Sequence, residues 1–294
     1  MQTTTNTETI PAFLDVALAW GKEYAQAAEW NDVADRMSLV LISPFSTGKL
    51  SEFDPTILDV ATYWLILDRN TLTWAPAEVA KELKNGHAVV QQYGPSAAYP
   101  NAPEAHVTIL RDDAADKILN SIASDHRQAL EARWHIQRAA AIHDPLRRFD
   151  QLNKMPHSVD EGELERVIRT LWVSAHASAR GLHLNRDVES DSFSLTAGEL
   201  ATQLLRLSFV LEETAYPTPP YLLQALETTH VGRRIGSWIP LLLSSDPVER
   251  SQAQRSTEAT LKEIKTILAI SYRTEHWLNS PAAFPYRTRA QTGE

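Results

Sequence analysis

Glu131 and His135 stand four residues apart in a stretch that also carries His126 and His143. On a helix that spacing puts an imidazole and a carboxylate on one face, where partners from other helices could complete a metal site. The Glu-x-x-His spacing of carboxylate-bridged di-iron bundles is absent, and packed or solvated histidines explain the pattern without a ligand. His176 and His183 straddle Gly181, where a helix is expected to end. Arg233-Arg234, followed closely by Trp238, forms a short basic-aromatic patch that could meet a phosphate or be a solvated loop. Trp20, Trp64 and Trp172 sit in apolar patterns that core packing explains. Gly48-Lys49 lacks the Walker spacing, and no Gly-x-Gly-x-x-Gly, Gly-x-Ser-x-Gly or His-Glu-x-x-His motif occurs.

The elements that must position these residues differ between the two parts of the chain. A helix is expected from Pro11, with Phe13, Val16, Trp20, Tyr24 and Ala27 on one face. Short apolar runs follow at Leu39–Ile42, Val60–Leu67, Ala88–Val90 and His106–Leu110, bounded by turn residues, and read as strands. After about Ala114 the strand signals stop. Ile118–Ile142 reads as one long helix halted by Asp144-Pro145, and Leu164 to Ala175 form a helical stripe. Thr196–Glu199 and Asp246–Glu249 have the form of capping boxes, the second with Pro247 at a favoured first position. The fold class expected is α+β: a small sheet domain over 13–115, a helical bundle over 116–280, and tails at 1–12 and 281–294.

Composition narrows the chemistry. The 294 residues include 28 Lys+Arg and 37 Asp+Glu, a net charge of −9, and no cysteine. Disulfide scaffolds, thiol catalysis and thiolate zinc sites are thereby excluded. The acidic balance argues against an extended nucleic-acid surface, although a local basic face is compatible with it. A polar N-terminus without a signal pattern, and apolar runs too short to span a bilayer, point to a cytoplasmic protein without a membrane partner.

The richest stretch runs from Leu39 to Leu67: a strand, a turn containing Ser46-Thr47-Gly48-Lys49, then a second strand opened by Asp59. This layout resembles the polymerase-β-like nucleotidyltransferases, in particular the branch that modifies small molecules such as antibiotics. Two looser matches lie at Trp134–Leu152, around His143-Asp144-Pro145, and at Leu205–Leu211 followed by Tyr216-Pro-Thr-Pro-Pro-Tyr221. The resemblance implies that Ser46, Thr47, Gly48 and Lys49 face the nucleotide phosphates. It implies that Asp59 holds Mg²⁺ with Asp54 or Glu52, since hard cations take carboxylate oxygens. His106 or Asp112 would stand near the acceptor as base, with Glu104 close by in sequence.

The chain also departs from that pattern. Aligned on Gly48, the family's Gly-Ser falls on Ser43-Pro44, and proline has no N–H to offer a phosphate. Aligned on Asp59, the first metal acid falls on Ile57, which cannot ligate Mg²⁺. The expectation is a divergent nucleotidyltransferase-like protein that binds a nucleoside triphosphate or transfers its nucleotide to a small hydroxylated acceptor, its cleft between the two domains. A catalytically silent binding module and a helical metalloenzyme are the alternatives. Arg138 and His143, and Arg169 and His176, also match the Arg-to-His spacing of a helical ribonuclease family that partners nucleotidyltransferase-like proteins.

Overall fold

A computed structural model describes residues 9–42, 60–94, 104–154, 161–185, 187–271 and 275–278. The chain divides into two compact units, 1–157 and 158–294. The first is built on a five-stranded mixed sheet of order β3-β4-β2-β1-β5. Its strands are β1 (Met37–Leu41), β2 (Val60–Leu67), β3 (Val89–Tyr93), β4 (Glu104–Arg111) and β5 (Ala140–His143). All are antiparallel to their neighbours except β2 and β4, which run parallel from Val60↔Glu104 to Leu67↔Arg111.

Side-chain alternation assigns each sheet face a separate core. On one face Leu39, Leu41, Tyr63, Leu65, Val107 and Ile109 pack beneath α1 (Thr9–Ala25) and α2 (Ala77–Lys84). Tyr24 and Tyr93 both donate to Gln91 Oε1 there, at 2.9 and 2.7 Å, and Trp20 packs among the tyrosine rings. Trp20 is thus a packing residue, as the sequence suggests. On the other face Val40, Ile42, Ile66 and Leu110 meet α3 (Asp112–Asn120), α4 (Ile122–Ile136) and α5 (Arg148–Asn153). Every residue of β1 is buried, as a strand covered on both sides requires.

The expected strands at Leu39, Val60, Ala88 and His106 are present, and the mixed α+β class stands. The expected helix over 118–142 is not a single element. Asn120 closes α3, Asp125 leaves the helical region (φ −145°, ψ 79°) within α4, and Ala140 opens β5. The sheet unit therefore extends past residue 115 to residue 157. Asp144 secures that return: its Oδ1 accepts from Ser38 Oγ at 2.6 Å and from Arg148 N at 2.7 Å, and its Oδ2 accepts from Phe149 N at 3.0 Å. One carboxylate joins β1, the end of β5 and the first turn of α5.

The second unit is helical among its described residues. Long helices α6 (Glu161–Leu184), α7 (Asp191–Val210) and α11 (Pro247–Ser271) are accompanied by short α8 (Pro219–Leu222), α9 (His230–Ile235), α10 (Ile239–Leu242) and α12 (Glu275–Leu278). The stripe Leu164, Val167, Ile168, Leu171, Trp172 and Ala175 is buried as its spacing predicts. Asp246 caps α11 by accepting from Val248 N at 2.8 Å. Thr196 does not cap α7; it lies inside the helix, and its Oγ1 donates to Ser192 O at 2.8 Å. The cap is Ser190, whose Oγ accepts from Phe193 N at 3.1 Å. Among the described residues no helix is long and apolar enough to cross a membrane.

Candidate functional site

One end of the sheet carries the Glu104–His106 pair. β1 arrives there at Leu41, and Ile42 N still donates to Thr62 O across the pair at 2.8 Å. Residues 43–59 join Ile42 to Val60, so they leave and re-enter the sheet at this end. That segment contains Ser46, Thr47, Gly48, Lys49, Glu52, Asp54 and Asp59, all seven outside the described residues.

The described side chains at this end come from β4. The parallel register pairs Val60 with Glu104 and Thr62 with His106. Glu104 and His106 are two residues apart on a strand and so share a face. His106 Nε2 lies 2.8 Å from Glu104 Oε1, with the two side chains 31% and 48% exposed. A carboxylate accepts, so Nε2 is the donor nitrogen of the pair. Glu104 is thereby part of the arrangement. The signal that marks it is an acid two positions before His106 in the same strand.

Asp112 is elsewhere. It follows Arg111, which pairs with Leu67 at the opposite end of the β2–β4 ladder. Six residues of mostly extended chain put it about 20 Å from His106. Its carboxylate is engaged in structure: it forms an ion pair with Arg148, and its Oδ1 accepts from Asp113 N at 2.8 Å and Arg69 N at 3.4 Å. An acid in the first turn of α3 also complements the helix dipole. The structure thus places Asp112 at the opposite end of the ladder from His106 and gives its carboxylate structural partners. A polar cavity of about 200 Å³ beside it, lined by Arg36, Ser38, Asp68 and Gln151 among others, belongs to the same ion-paired corner.

The helical histidines do not converge. His143 lies on β5, its Nε2 2.5 Å from Ala34 O, which fixes that nitrogen as a donor. Glu131 accepts from Arg127 Nε at 3.3 Å, one turn away on α4. His135 Nδ1 is closed off from solvent, and burial together with the charge of Arg138 lowers the imidazole pKa to about 4. Among the described residues no group of three or more His, Asp or Glu could hold a metal ion. The metalloenzyme alternative therefore gains no support from α4.

The remaining motifs also resolve into packing. Arg138 lies over the Trp134 ring at 4.1 Å and donates to Trp134 O at 3.2 Å, away from any helix face shared with His143. Arg169 lies over the Trp277 ring at 5.8 Å. In the basic-aromatic patch Arg234 is ion-paired with Glu263, Arg233 Nη2 meets His230 Nδ1 at 2.6 Å, and Trp238 is buried.

No family model matches the chain, and no curated protein matches it. Among solved structures it is similar to a nucleotidyltransferase-like protein from Exiguobacterium sibiricum 255-15, with 14% identity and a TM-score of 0.39 over 90% of this chain and 80% of that one. A likeness at that level assigns no role to any residue.

Proposed function

We propose that the sheet end formed by β1, β2 and β4 binds a nucleoside triphosphate and transfers its nucleotide to a small hydroxylated acceptor. The observation that carries the reading is the parallel pairing of Val60 with Glu104, which brings the Glu104–His106 pair to the end where residues 43–59 re-enter the sheet. In this reading Ser46, Thr47, Gly48 and Lys49 face the phosphates. Mg²⁺ would be held by Asp59 with Asp54 or Glu52, and when bound it neutralises phosphate charge. The acceptor oxygen forms a bond to the α-phosphorus, the bond to the β-phosphate oxygen breaks, and pyrophosphate leaves. His106 Nδ1 takes the hydroxyl proton while Glu104 holds the ring and stabilises the imidazolium.

Titrating the full chain calorimetrically with each of the four Mg²⁺-nucleoside triphosphates tests binding, and pyrophosphate release with a panel of polyols and aminosugars tests transfer. Heat with at least one nucleotide, lost in Asp59→Asn, is expected; no heat with any of the four overturns the reading. Ile57 and Pro44, standing where an acid and a phosphate-facing N–H belong in the family pattern, favour a second reading of binding without transfer. It is distinguished by heat of binding with no pyrophosphate released.

A further inference from the structure

Two helical stripes face each other within the second unit. Trp172, His176, Arg180 and His183 recur at steps of three or four on α6, and Gln254, Glu258, Leu261 and Lys265 do so on α11. Gln254 Nε2 donates to Leu182 O at 2.7 Å and ties α11 to the last turn of α6. The two helices line an open cavity of about 650 Å³. That is the size of small-molecule sites, roughly 300–1,000 Å³.

The lining has two chemical halves. Trp172, Ala179 and Leu261 supply apolar surface, and Arg180, Lys262 and Lys265 supply positive charge. Glu258 is the one carboxylate of the lining, and it is directed to His183 at 3.5 Å. Arg180 and Lys262 have no ion-pair partner among the described residues. A chain with nine surplus negative charges has gathered three cations around this cavity against one acid. Cations beside an apolar wall attract a molecule that offers both a negative group and an apolar body, because a hydrated inorganic ion cannot use the wall.

We propose that the α6–α11 cavity binds a small organic anion, a carboxylate or phosphate ester carried on an aromatic or aliphatic body, with Arg180 and Lys262 as the anion-binding groups. This site lies wholly within the second unit and stands independently of nucleotide binding at the sheet.

The test uses the full chain and the fluorescence of 8-anilinonaphthalene-1-sulfonate, with neutral N-phenyl-1-naphthylamine as the uncharged counterpart. The sulfonate is expected to saturate at one per chain, and to be displaced by phenyl phosphate or 4-phenylbutyrate but not by equal concentrations of inorganic phosphate. The double variant Arg180→Gln/Lys262→Gln should weaken sulfonate binding at least about tenfold and leave the neutral amine unchanged. Absence of saturable sulfonate binding, equal affinity in the double variant, or displacement by inorganic phosphate alone would each overturn the proposal. If the double variant does not fold, the unmodified chain decides: the sulfonate must bind at least about tenfold tighter than the neutral amine.

Discussion

Val60 and Glu104 are partners in the parallel β2–β4 ladder, so the first residue of β2 lies beside the first residue of β4. Two residues along, His106 turns back to the Glu104 carboxylate at 2.8 Å. The pairing joins two segments over forty residues apart and places a hydrogen-bonded acid–imidazole pair at the end of the sheet where residues 43–59 begin and finish.

If His106 takes the acceptor proton, His106→Asn lowers transfer by about 10²-fold or more, the usual contribution of a positioned base. Nucleotide affinity stays within a factor of two. Glu104→Gln gives a smaller loss, because the ring loses the carboxylate that orients it. Pyrophosphate release and calorimetry on the same preparations separate the two quantities, and an unchanged rate in His106→Asn removes the base assignment.

Asp112 should behave as a structural residue. Asp112→Asn leaves the buried end of the Arg148 pair without its charge and weakens acceptance from Asp113 N. Arg148 keeps 37% side-chain exposure, so water recovers part of the loss and the cost is about 2 kcal/mol. Urea denaturation should show that loss while nucleotide binding is unchanged; a variant of full stability with no activity would return Asp112 to the catalytic set.

His135 makes stability depend on pH. Its folded pKa of about 4 lies below the ordinary value of 6.5, so between these values the unfolded chain binds more protons and stability rises with pH. The contribution is complete above pH 6.5 and is lost as pH falls through 4, amounting to up to about 3 kcal/mol. In His135→Gln the stability curve measured by urea denaturation between pH 4 and 6.5 should be flatter by that amount. An identical slope in the variant would show that the imidazole is not the titrating group.

Gly232 lies in the first turn of α9, where Thr229 Oγ1 accepts from its N–H at 3.0 Å. A Cβ there would overlap both that oxygen and the Leu226 carbonyl oxygen, and the backbone carbonyl cannot rotate away as a side chain can. Gly232→Ala should therefore destabilise the chain by about 2–3 kcal/mol despite alanine's better helix propensity. Thermal denaturation checks this, and a raised midpoint would contradict it.

Part of the candidate site is legible in the residue pattern alone, and the limit has a physical form. His106 stands out because an apolar run bounded by turn residues announces a strand, and Glu104 two positions earlier must share its face. The strand pattern does not say which neighbour β4 has, nor in which direction it runs. Those choices place Glu104 opposite Val60 and send Asp112 to the far end of the ladder.

Sequence alone determined whatever depends on neighbours within a turn or a strand. The apolar runs of β1, β2 and β4, the buried stripe of α6 and the Asp246 cap of α11 follow from local spacing and local hydrogen bonding. Tertiary structure decided what rests on partners distant along the chain. Ala140–His143 has little strand propensity and becomes β5 because β1 offers it an unpaired edge and Asp144 reaches Ser38, 106 residues away. The cationic cavity between α6 and α11 likewise exists because two stripes, each an ordinary helix face by itself, meet across about 80 residues of sequence.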